Sequence, residues 1–160
     1  MLFLKSNIII MNVLKVGDIA PDFSCKNQHG ELINLSDMIG KKVVVFFYPK
    51  ANTPGCTAEA CNLNDNYNRF KSSGYEIIGV SADNEKLQKN FSDKFGFDYS
   101  LLCDEDKEII KSYGVWGVKK MYGREYMGIT RKTFIIDENG KISQIIEKVK
   151  TKEHTNQILE

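Results

Sequence analysis

The chain has 160 residues, 42% of them hydrophobic, with 22 Lys and Arg against 21 Asp and Glu for a formal net charge of +1. That length and apolar fraction suit one globular domain, and charges of both signs interleaved along the chain leave no basic field for nucleic acid or an anionic membrane. The cysteines Cys25, Cys56, Cys61 and Cys103 are too few and too unevenly spaced for a secreted disulfide scaffold, which points to a reducing, cytoplasmic setting.

The apolar run Ile8-Ile9-Ile10 is too short to span a bilayer and lacks a small-residue cleavage site. Residues 1–12 are therefore expected to form a disordered extension, with Met11 as an alternative start, ahead of a single domain over 13–160. Turn residues mixed with apolar pairs from Gly17 to Leu35 predict an N-terminal β-hairpin. Ser36 is expected to cap a short helical turn ending near Gly40. Val43–Tyr48 is β-branched and aromatic without alternation, the pattern of a central strand covered on both faces.

Pro49 stops that strand, and a helix is predicted over 54–72, with Leu63, Tyr67 and Phe70 on one face. Tyr75–Ser81 reads as a second buried strand. Leu87, Phe91 and Phe95 recur at helical spacing before the stop signal Gly96. A short strand over Tyr99–Cys103 and a helix over Glu105–Tyr113 follow, the helix closed by Gly114. Trp116, Tyr122 and Tyr126 are expected in the core or at a site rim, with Lys119–Gly128 as a loop or strand edge. Thr133–Ile136 and Lys141–Val149 flank Asn139-Gly140, a strong hairpin signal, and Thr151 is expected to cap a last helix. This order implies an α/β fold with a mixed central sheet flanked by helices.

The segment Pro49-Lys50-Ala51-Asn52-Thr53-Pro54-Gly55-Cys56 holds the chemistry. Thr53 can cap a helix, Pro54 suits its first position, and Cys56 then falls in the first turn, where free backbone N–H groups and the helix dipole favour a thiolate. Cys56 is thus a candidate nucleophile. Cys61 lies five residues on. On one continuous helix the two Cα atoms would stand roughly 8–9 Å apart on different faces, beyond the ~7 Å that a disulfide tolerates. A bond between them therefore requires the first turns to unwind, at modest cost because terminal turns lack a full set of backbone bonds. The spacing is not the Cys-x-x-Cys of a dithiol reductant.

Pro49-x3-Thr53-x2-Cys56, the following Thr57-Ala58-Glu59-Ala60-Cys61, the opening Val16–Phe23 and the late Arg131–Asp137 together resemble the peroxiredoxins, in particular the peroxiredoxin Q or bacterioferritin comigratory protein group. The resemblance spans Val16 to Leu159. It implies a thioredoxin-like fold and a thiol peroxidase that reduces hydrogen peroxide and organic hydroperoxides, recycled by a thioredoxin-like reductant. Cys56 would be the peroxidatic cysteine and Cys61 the resolving one, joined in an intramolecular disulfide. Thr53 and Arg131 would shape the site, Pro49 would shield it, and Glu59 would orient the arginine or stand as an exposed helix carboxylate. No metal or cofactor is implied, and a monomer is expected.

The chemistry needs a thiolate, a donor to the attacked oxygen and stabilisation of the departing oxyanion. Arg131 is always charged and would favour the thiolate while holding the peroxide oxygens; the Thr53 hydroxyl and the N–H groups of Gly55 and Cys56 add further partners. Without the resemblance, Arg131 reads as a solvated strand-end residue. Cys103 and Cys25 are expected to be structural thiols, Cys103 in preference to a backup resolving role. Two other readings are a redox sensor that passes oxidation to a partner protein, and a zinc module built from Cys25, Cys56, Cys61 and His29, whose spacing fits no common zinc arrangement.

Overall fold

The structure, a computed structural model, describes residues 13–160; the expected extension over 1–12 lies outside them. In chain order the elements are β1 (Ser24–Lys26), β2 (Leu32–Asn34), β3 (Lys42–Phe47), α1 (Pro54–Asp65), α2 (Tyr67–Ser72), β4 (Tyr75–Ser81) and α3 (Glu85–Phe95). They continue with β5 (Ser100–Cys103), α4 (Glu108–Ser112), β6 (Trp116–Met121), β7 (Arg124–Ile129), β8 (Lys132–Ile136), β9 (Ile142–Ile146) and α5 (His154–Leu159).

β3 is the middle of a five-stranded sheet of order β5-β4-β3-β8-β9. It runs parallel to β4 and antiparallel to β8, so the sheet is mixed. Successive β3 side chains point to opposite faces. Val43, Val45 and Phe47 pack with Ile78, Val80, Tyr113 and Phe134 on one face, while Val44, Phe46 and Tyr48 pack with Leu63, Phe70, Phe91 and Ile158 on the other. Both faces are buried, which is why the strand shows no alternation. Glycine is required at Gly79, where a Cβ would stand 2.8 Å from the Phe46 ring and 2.9 Å from Leu101.

The N-terminal hairpin β1–β2 and the β8–β9 hairpin form as expected, and Gly96 ends α3 in the left-handed conformation. Several local expectations change. The helix predicted over 54–72 breaks at Asn66 (φ −110°, ψ 18°), whose side-chain amide donates to the Asn62 carbonyl at 2.8 Å; an asparagine that bonds nearby backbone competes with helix continuation. Ser36 does not cap, because the 3-10 turn Leu35–Met38 already starts after Asn34. Thr151 opens a 3-10 turn and makes no side-chain cap either. The helix expected over Glu105–Tyr113 is confined to Glu108–Ser112, after Lys107 takes a positive φ of 63° and Asp104 accepts the Ile110 N–H at 2.8 Å.

The segment expected as a loop or strand edge is an antiparallel ribbon, β6 paired with β7 from Trp116↔Ile129 to Met121↔Arg124. Its turn residues Tyr122 and Gly123 have φ values of 51° and 78°, the positive pair that a tight hairpin turn favours. Tyr122 is 96% exposed and Tyr126 is also exposed, so neither is a core aromatic; Trp116 alone of the three is half-buried. Among the described residues no helix is long and apolar enough to cross a membrane.

Candidate active site

The loop after β3 turns back on itself through Asn52, at φ 66°, and delivers Thr53 to the N-cap position and Pro54 to the first position of α1. Thr53 does not cap with its side chain, contrary to expectation. Its hydroxyl donates to the Lys50 carbonyl at 2.8 Å, tying the loop across its own turn. The Ala51 N–H donates to Asp83 at 2.8 Å, which anchors the loop to the end of β4. Pro49 is half-buried beside it.

Cys56 occupies the first turn of α1 and is 1% exposed. Arg131, from the short link between β7 and β8, reaches it: Nη2 donates to Sγ at 3.4 Å and Nη1 donates to Glu59 Oε1 at 2.8 Å. One planar guanidinium thus spans a sulfur and a carboxylate one helical turn apart, the fork geometry that Arg has and Lys lacks. Gly55 makes room for it, since a Cβ there would stand 3.1 Å from Nη2.

Glu59 is fully buried, so it is not the exposed helix carboxylate of the alternative reading. Burial pushes its carboxyl up to about 7, against the opposing pull of Arg131. Its second oxygen faces Nε2 of the buried His154 at 3.4 Å. His154 is a site residue that the sequence does not announce: no motif surrounds it, and it meets Glu59 only when α5 docks on α1, where its Nε2 also stands 2.7 Å from the hydroxyl of Thr133, a residue inside the Arg131–Asp137 pattern but given no role by it. Tyr48 is a further one. Buried at the end of β3, its hydroxyl donates to Gln88 at 2.6 Å, and burial holds it protonated well above the usual tyrosine range.

Cys61, half-buried further along α1, has its thiol pushed up by burial and by Asp65. Both thiols are free. Cys25 and Cys103 lie elsewhere, on the walls of a cavity of about 510 Å³ also lined by Asp104, Glu105 and Asp106. Burial pushes these two thiols up to about 11 and about 12, the setting of unreactive thiols. Cys25 packs against one face of the sheet and Cys56 against the other, and His29 stands exposed in the first hairpin. The four residues of the zinc reading are therefore not brought together.

A buried cysteine at a helix start, held by an arginine on a mixed sheet with flanking helices, defines a thiol-based oxidoreductase of thioredoxin-like fold. Residues 16–145 match the AhpC/TSA family. The chain is 45% identical over 149 residues to peroxiredoxin Bcp of Escherichia coli K12, covering 93% of this chain and 96% of that one. It is 42% identical over 147 residues to peroxiredoxin Bcp of Bacillus subtilis, covering 92% and 94%. Among solved structures, the bacterioferritin comigratory protein of Xanthomonas campestris superposes with a TM-score of 0.83 at 35% identity, covering 92% and 94%; that structure concerns its alkyl peroxide reduction activity and trapped intermediate and ligand complexes. The chain belongs to the AhpC/TSA family, among its Bcp and Q-type peroxiredoxins, and is a thiol peroxidase.

Proposed function

We propose that Cys56 is the peroxidatic cysteine and Cys61 the resolving cysteine of a peroxidase acting on hydrogen peroxide and organic hydroperoxides. The observation that carries this reading is the Arg131 guanidinium, which donates to the Cys56 sulfur at 3.4 Å while Glu59 holds it at 2.8 Å. The alkyl peroxide activity of the Xanthomonas campestris relative supports the substrate class.

In the first step the Cys56 thiolate attacks the nearer peroxide oxygen. The S–O bond forms, the O–O bond breaks, and the departing hydroxide or alkoxide takes up a proton, leaving a sulfenic acid. Arg131 and the N–H groups at the start of α1 stabilise the charge that shifts onto the oxygens. Thr53 orients the peroxide, Gly55 admits the guanidinium, and Pro49 keeps bulk water from the thiol. In the second step α1 unwinds at its start, Cys61 sulfur displaces water from the sulfenic sulfur, and an intramolecular disulfide forms. A thioredoxin-like dithiol then reduces it by exchange. The protein acts as a cytoplasmic monomer.

Cys56→Ser is expected to abolish peroxide consumption in an assay coupled to thioredoxin and its reductase. Retained turnover would reject Cys56 as nucleophile. Slow turnover by the unaltered protein, with a mixed disulfide trapped on another protein, would favour a redox sensor.

A further inference from the structure

Glu59 and His154 form a buried pair whose hydrogen bonding the thiol chemistry leaves unexplained. Glu59 Oε2 is sealed from solvent and accepts no hydrogen bond, a costly state for an ionised oxygen. Nε2 of the equally buried His154 stands 3.4 Å from it.

The partners of the imidazole decide where its own hydrogen sits. Gln157 Oε1 accepts the Lys150 backbone N–H at 2.9 Å and Gln157 Nε2 donates to the Lys148 carbonyl at 2.9 Å, so the amide oxygen is the atom 2.7 Å from His154 Nδ1. An amide oxygen only accepts, and Nδ1 therefore carries hydrogen. In a neutral ring Nε2 is then bare and accepts from the Thr133 hydroxyl at 2.7 Å. A bare Nε2 and an ionised Oε2 would face each other lone pair to lone pair. One proton added to either atom converts that clash into a donor and an acceptor.

We propose that Glu59 and His154 hold one proton between them at neutral pH, and that this proton leaves the pair without net charge, so that the Arg131 guanidinium serves the Cys56 sulfur. Loss of the proton makes the pair a net anion that competes with the sulfur for the same guanidinium. His154 is thus a positioning residue, acting on the thiol through Glu59 and Arg131; this part rests on reading Cys56 as the nucleophile.

Burial pushes Glu59 up to about 7 and pushes His154 down, the latter with Arg131 adding to the effect and the Gln157 bond opposing it; both directions send the proton towards the carboxyl. The other titratable groups facing the pair are Cys56 of α1, Arg131 ahead of β8, and Tyr99 ahead of β5, whose hydroxyl donates to the Ala60 carbonyl at 2.7 Å. Tyr48 faces Cys56 from the end of β3. Burial raises both tyrosines well above their usual range, so neither titrates near neutrality.

The chain has two histidines, His29 and His154, and imidazole NMR of the intact protein reads the pair directly. His154 is expected to keep hydrogen on Nδ1 throughout and to show one pH-dependent step at Nε2. Glu59→Gln should lower the midpoint of that step by roughly one pH unit or more, the size expected when a charge within a few ångströms is removed, with His29 unmoved. An unmoved His154 step, or a ring with hydrogen on Nε2 alone, overturns the shared proton.

The second readout is the pH profile of Cys56 alkylation, followed by peptide mass spectrometry. The unaltered protein should show an inflection at the His154 step, absent in Glu59→Gln and in His154→Gln. The same inflection in both variants overturns the link to the thiol. Failure of Cys56 to oxidise with peroxide would count against the nucleophile assignment while the histidine titration still decides the proton.

Discussion

Arg131 carries two contacts that its neighbours cannot replace. It lies 75 residues from Cys56 and 72 from Glu59 in sequence, and only the β8 register brings it over the start of α1. Arg131→Gln removes the positive partner of the sulfur and, in the proposed first step, of the developing oxyanion. The rate of Cys56 oxidation by hydrogen peroxide, followed by stopped-flow fluorescence or competition, is expected to fall by about 10²-fold or more, the loss typical of one such preorganised donor; a fall of less than threefold would remove Arg131 from the reacting atoms. The helix-start signals around Cys56 were legible because they are local: Thr53 suits the N-cap position and Pro54 the first helical position. Glu59 was legible only through the family pattern, since a glutamate between Ala58 and Ala60 on a helix ordinarily faces water. His154 was not legible at all, because its meaning depends on Thr133, Gln157 and Glu59, which meet only in the folded chain.

At the scale of elements, α1 is held near its start by Arg131 and further along by a denser set of bonds. Asn62, next to Cys61, donates to the Lys152 carbonyl at 2.9 Å and accepts the Thr155 N–H at 2.8 Å, and its own carbonyl accepts the Thr155 hydroxyl at 3.1 Å. The Tyr99 hydroxyl holds the carbonyl of Ala60, two residues earlier. In the proposed resolution step, unwinding would start at Pro54 and meet this clamp near Cys61. Asn62→Ala removes the two side-chain bonds, at about 1 kcal/mol each. It is expected to lower the barrier to disulfide formation and speed resolution several-fold without changing the first oxidation step. Rapid-quench trapping of the sulfenic acid measures both steps, and an unchanged resolution rate would show that the clamp does not limit opening. The strands of the central sheet were legible from composition, because full burial on both faces demands apolar runs. The β6–β7 ribbon was not, since its residues are mostly exposed and its register follows from a Tyr122-Gly123 turn that lacks the usual Asn or Asp. The break at Asn66 escaped as well, because the apolar stripe of Leu63, Tyr67 and Phe70 continues across it.

For the whole molecule, burying Glu59 ties folding to pH. Its carboxyl is raised from 4.5 to about 7 on folding, so between those values the folded chain binds the extra proton. This group's stabilisation is full below about 4.5 and is lost as pH rises through about 7, a change on the order of 3 kcal/mol. His154, lowered on folding from 6.5, works in the opposite sense and loses stability as pH falls below 6.5. Comparing the unaltered protein with Glu59→Gln removes the carboxyl's titration together with its effect on His154, and both changes favour the variant at the higher pH. Urea denaturation at pH 5 and pH 8 should show the variant gaining on the unaltered protein at the higher pH; a constant difference across that range would mean that Glu59 ionises as freely in the folded chain as in the unfolded one. The fold class, the order of the main elements and the place of Cys56 at a helix start could be read ahead of the structure, whereas the buried ionic network that ties α1, β8 and α5 together required it.

The most direct measurement is peptide-level mass spectrometry of the protein after an equimolar dose of hydrogen peroxide, with turnover by thioredoxin and its reductase recorded in parallel. A Cys56–Cys61 disulfide that forms rapidly and disappears on reduction, with sustained turnover, is the expected result. Oxidation that spares Cys56, or a disulfide joining Cys56 to Cys103, would contradict it.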